Sequence, residues 1–109
     1  MMTKLKEQVT KLVDFELDMA NKEHGERFSS AHEAYAVILE EYEEAKEEFD
    51  NMEYPLSNFW SCIRFPEFSD DFEPNAYMSD LKNAAIHAAC ECIQVAAMAQ
   101  KFINGEEST

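Results

Sequence analysis

"NAAIHAACECIQVAAMAQ", residues 83–100, is a largely apolar stretch with a single acidic residue, Glu91. At about 100° per residue, Leu81, Ala85, Ala88, Cys92, Val95, Ala99 and Phe102 form one helical seam. Ile86, Ala89, Ile93 and Ala97 form a second apolar side. A helix that is apolar on two sides belongs at the centre of a bundle, where it is covered from more than one direction.

Working outward, the breakers define the rest of the chain. Only two glycines occur, Gly25 after "ELDMANKEH" and Gly105 after "AQKFIN", and each suits a left-handed C-terminal cap. The three prolines, Pro55, Pro66 and Pro74, are confined to one segment. Three long helices are predicted, at roughly 3–24, 30–50 and 78–103, with Ser29 or Ser30 and Ser79 as candidate N-caps. In the second helix Ala31, Tyr35, Ile38, Tyr42, Ala45 and Phe49 recur as a seam; Leu5, Val9, Leu12 and Met19 mark a weaker stripe in the first. The expected architecture is all-α, a bundle of three long helices in one domain spanning residues 1–109. Three helices do not easily surround one of their own number, so a second copy is expected to complete the bundle.

The segment 51–77 interrupts this pattern with Tyr54, Phe59, Trp60, Phe65, Phe68, Phe72 and Tyr77, too aromatic for a flexible linker. Within it, "LSNFWSCIRF" suggests a short helix starting near Ser57. Two readings stand: an irregular plug over the core, or a wall on which a base stacks, with Trp60 as the candidate surface.

Nine basic against twenty-three acidic residues give a net charge of −14. Such a surface repels duplex nucleic acid, although bound cations can still bring phosphates to it. Cys62, Cys90 and Cys92 include no CxxC pair and read as free thiols. The first residues lack the apolar run of a signal peptide and no stretch is long enough to span a membrane, so a cytoplasmic protein is expected.

The chemistry concentrates in "LEEYEEAKEEFD", residues 39–50, with six glutamates among the nine residues from Glu40 to Glu48. Ala34, Val37, Glu41, Glu44 and Glu48 share a stripe beside the seam, with Glu40 on the other flank of Glu44. Glu43 and Glu47 lie farther round, toward solvent. Like charges three and four residues apart cost this helix on the order of 1–3 kcal/mol. An acidic run is commonly only a solvated face; here a divalent cation would also relieve the repulsion, and carboxylates one turn apart suit Mg²⁺ or Mn²⁺. On the central helix Ala84, His87, Glu91, Gln94 and Met98 form the stripe beside its seam. Antiparallel packing of the two seams would set Glu91 and Gln94 opposite Glu41 and Glu44. His87 reads either as a structural hydrogen-bonding residue or as a supporting donor at the site.

"HEAYAVILEEYEEAKEE" followed by "CECIQVAAMAQKFI" resembles the MazG-like branch of the all-α nucleoside triphosphate pyrophosphohydrolases, especially its short phage and prophage members. That family carries an E-E-x-x-E helix and a later E-x-x-D helix. Glu40, Glu41 and Glu44 match the first motif and Glu91 begins the second, but Gln94 stands where the family has aspartate. The resemblance covers residues 30–50 and 80–103. It implies a homodimer or homotetramer holding Mg²⁺ (or Mn²⁺) on Glu41, Glu44, Glu91 and Gln94. It further implies cleavage of a nucleoside triphosphate to monophosphate and pyrophosphate, with Glu40 or Glu44 as base. No glycine-rich phosphate loop is present, so phosphate contacts fall to the metal and to Lys46, Arg64 or Lys101. The neutral Gln94 leaves two alternatives open: a nucleotide-binding relative with weakened turnover, or an acidic helical module for protein interaction.

Overall fold

The computed structural model describes residues 2–68 and 74–107; the side chains of Phe68 and Glu107, and all of Phe72, lie outside the described residues. It contains α1 (Met2–His24), α2 (Ala31–Asp50), α3 (Glu53–Arg64), a single 3₁₀ turn (Pro66–Phe68) and α4 (Pro74–Glu107). No strand occurs among the described residues, and the fold is all-α.

The helix boundaries have local causes. Gly25 closes α1 with φ +83° and donates its N–H to the Asn21 carbonyl, the left-handed cap expected there. Ser30 caps α2 by accepting the Glu33 N–H, while a Glu33 carboxylate oxygen accepts the Ser29 N–H at 2.8 Å, a reciprocal pair. Gly105 does not end α4, which continues through it to Glu107 without a positive φ. Nor does Ser79 cap α4: the helix already includes Pro74, whose fixed φ and missing N–H suit a first turn. The aromatic segment is largely helical rather than irregular, and α3 starts at Glu53 rather than near Ser57. Pro55 fits in that helix because it lies in the first turn, where its N–H would have no intrahelical acceptor.

α4 is central, packing against α2, α1 and α3. α2 and α4 are antiparallel, since Ala31 shares a cavity with Phe102 while Glu48 meets His87. The expected α2 seam is buried only in part. Its Ala45 is buried and its Ile38 joins the core, alongside Ala34 and Val37 of the adjacent stripe, whereas Tyr35, Tyr42 and Phe49 are 54–67% exposed. Small side chains let the two backbones approach, with Ala88 buried on the α4 side. The stripe carrying Glu41 is consequently turned inward. Leu17, Ala97 and Met98 form the core cluster, joined by Val37 and Ile38.

This core is thin. Every residue from Met2 to Leu12 is exposed, and Leu5, Leu12, Phe15, Ile86, Trp60 and Ile63 also face outward. The radius of gyration is 18.7 Å, against about 13 Å for a compact chain of this length. The accessible surface is 8385 Å², against about 6,200 Å² for a folded monomer of this mass. No helix among the described residues is long and apolar enough to cross a membrane.

Candidate functional site

Antiparallel packing sets the middle of α2 against the middle of α4. Ligand atoms of Glu41, Glu44 and Glu91 lie within 4.8 Å of one another, two from one helix and one from its neighbour. Glu41 and Glu91 are half-buried and Glu44 is exposed. Ala45 and Ala88, both buried, allow this approach.

The carboxylates interact electrostatically. Burial raises the Glu41 carboxyl above its ordinary 4.5, and the charges of Glu44, Glu91 and Glu40 raise it further. Glu91 is raised first by burial, then by the charge of Glu44 and a hydrogen bond with it, then by Glu48; His87 pulls it down. Three oxygen-donor groups that repel one another in a half-buried position form a donor set suited to a hard divalent cation.

Gln94 lies one turn beyond Glu91, and its Nε2 donates to a Glu16 carboxylate oxygen of α1 at 2.7 Å. Its amide nitrogen is thereby committed, leaving the carbonyl oxygen as its ligating atom. Glu16 is a contributor that the sequence pattern did not single out. Glu41, Gln94 and Glu16 line a 650 Å³ cavity between α1, α2 and α4, together with apolar Phe28, Val37 and Met98 and basic His24 and Arg27. This volume is within the range of small-molecule sites, about 300–1,000 Å³.

The other candidates lie elsewhere. Glu40 is exposed, next to Glu41 but outside the triad. Lys46 is exposed and lines none of the cavities described here. Trp60, 56% exposed on α3, is stacked by the Arg64 guanidinium at 5.8 Å and is not brought to the 650 Å³ cavity. His87 Nδ1 lies 3.7 Å from a Glu48 carboxylate oxygen and faces a different cavity, shared with Tyr54 and Asp80.

The molecule is thus an all-α protein with a carboxylate cluster between two antiparallel helices and a small-molecule-sized cavity beside it. Comparisons with models of known families, with curated proteins and with solved structures returned no match.

Proposed function

We propose that the chain is a metal-dependent nucleoside triphosphate pyrophosphohydrolase, acting as a homodimer or homotetramer. The observation that carries this reading is the convergence of Glu41, Glu44 and Glu91 from two helices, with Glu41 also lining a cavity of nucleoside size. Glu41, Glu44 and Glu91, with the Gln94 carbonyl, would hold Mg²⁺ or Mn²⁺. When bound, the cation neutralises triphosphate charge and lowers the pKa of an attacking water.

The chain's own residues divide the remaining work. With Glu44 placed among the ligands, Glu40, exposed beside the triad, is the carboxylate left to accept the water's proton. Phe28, Val37 and Met98 offer the nucleoside an apolar surface, and Arg27 and His24 offer charge and hydrogen bonds at the same cavity. Attack at the α-phosphorus forms the new P–O bond and breaks the bond to the bridging oxygen. Nucleoside monophosphate and pyrophosphate leave.

The engagement of Gln94 with Glu16 favours a second reading, nucleotide binding with weak turnover, because an amide supplies no negative charge to the cation. Pyrophosphate release from a panel of canonical and modified triphosphates, with Mg²⁺ or Mn²⁺, separates the two. The hydrolase reading expects turnover that Glu41→Gln abolishes. Equal rates in both proteins would sink it, and calorimetric nucleotide binding without turnover would select the second reading.

A further inference from the structure

A second cavity, 210 Å³, lies where the start of α2 meets the end of α4, and its walls include none of the clustered carboxylates. Lys101 lines it and is only 4% exposed, in a chain with fourteen more acidic than basic residues. Lysine is almost never buried this far unless it is paired. Among the described residues no carboxylate pairs with Lys101; its Nζ instead sits 4.8 Å from the centre of the Phe28 ring. An aromatic face attracts the charge but offers no lone pairs to the three N–H donors.

The other walls favour the same kind of occupant. Arg27 lines the cavity, its stem lying near Gly105 of α4. The α2 N-terminus contributes Ser30 and Ala31. Ser30 caps the Glu33 N–H, while the N–H groups of Ala31 and His32 have no acceptor within the helix and carry the positive end of its dipole. Among the described residues on the wall, Glu106 is the acidic one. The volume is below the about 300–1,000 Å³ of whole-ligand pockets, which fits a single charged group.

We infer that the buried Lys101, Arg27 and the α2 N-terminus form a phosphate-group site, able to take an oxyanion without a metal ion. Arg27, Phe28 and Ser29 line both cavities, but the two sites share no carboxylate, and binding in the absence of metal separates this inference from the carboxylate reading. Free phosphate or pyrophosphate, or the tail of a nucleotide, would present the same chemistry.

The test is calorimetric titration of the full chain in EDTA with inorganic phosphate, pyrophosphate and a nucleoside triphosphate. Pyrophosphate is expected to bind the wild type. Loss of a charge-assisted hydrogen bond should weaken it about ten- to a hundredfold in Lys101→Met, which keeps an apolar stem. Arg27→Gln, at an exposed position, should weaken it too and decides the matter if Lys101→Met fails to fold. Glu47→Gln, an exposed α2 position that lines neither cavity, should bind as wild type does. A triphosphate tighter than pyrophosphate assigns the site to a nucleotide tail, and the reverse order assigns it to the free ions. No binding in EDTA, unchanged affinity in folded Lys101→Met and Arg27→Gln, or an equal loss in Glu47→Gln overturns the inference.

Discussion

Glu91 of α4 and Glu44 of α2 bring carboxylate oxygens within 4.8 Å of each other, so the charge of Glu44 adds to burial in raising the Glu91 carboxyl. Because Glu41 and Glu91 are both raised above 4.5, the folded chain binds more protons than the unfolded one between that value and their raised values. The contribution is fully present below about 4.5 and is lost as pH rises through the raised values. In EDTA, thermal stability should therefore fall from mildly acidic to neutral pH. Glu91→Gln should flatten that slope in melting curves taken across the range. An identical slope in wild type and variant would show that the pair is not coupled.

The same repulsion makes the cation's effect measurable without any substrate. Mg²⁺ or Mn²⁺ at about a hundredfold over its dissociation constant should add about 2.7 kcal/mol of stability to the wild type at neutral pH. Glu41→Gln removes a half-buried charge, so it should melt higher than wild type in EDTA and gain much less from the metal. This opposite sign, more stable yet less responsive, distinguishes a ligand from a packing residue. A variant that loses stability in EDTA and keeps the full metal response would contradict the assignment.

Gln94 and Glu16 form a hydrogen bond with one ionised partner, worth about 1.5–3 kcal/mol when partly buried. Gln94→Asp alone sets a carboxylate against Glu16 and should destabilise the chain by an amount of that order. Adding Glu16→Gln restores a donor opposite an acceptor, so the double variant should recover part of the loss. A double-mutant cycle in urea should give a coupling of about 0.5–3 kcal/mol. Because the added charge strengthens the cation site, the double variant should also release pyrophosphate faster than wild type with Mg²⁺. Additive effects would show that the two side chains do not act together.

Much of the fold was legible because helix punctuation is local. Gly25 and Ser30 act through their own backbone and side chain, and both stop and start helices where their chemistry requires. Gly105 misled because a glycine near a chain end reads as a cap, whereas the helix continues through it without a positive φ. The α2 seam misled for a different reason. Hydrophobic periodicity cannot say which members of a seam meet the neighbour; Ala45 of the seam and Ala34 of the adjacent stripe are buried while Tyr35, Tyr42 and Phe49 are not, because close backbone approach requires small side chains. That choice turned Glu41 inward, toward Glu91. Glu16 left no sequence signal, being one acidic residue among several on a helix whose pattern is weak.

The aromatics displaced from that seam motivate the last prediction. Tyr35, Tyr42 and Phe49 on α2, and Leu5, Leu12 and Phe15 on α1, are 50–67% exposed, far more apolar surface than an isolated chain of this size ordinarily presents. The excess over a compact monomer, about 2,200 Å² per chain, is on the scale of an obligate subunit interface. A second copy of the chain is the proposed cover, because a bundle with α4 at its centre and one side open is completed by the same helices supplied again. Sedimentation at micromolar concentration should therefore give two or four times the 12.6 kDa chain mass. Phe15→Glu and Tyr42→Glu should each shift the population toward the single chain and lower its melting temperature. Glu47→Gln, at an exposed polar position of α2, should do neither. A wild-type chain that sediments at 12.6 kDa at tens of micromolar, as mass action would not allow for an obligate oligomer, would leave these aromatics without a subunit partner and refute the proposed assembly.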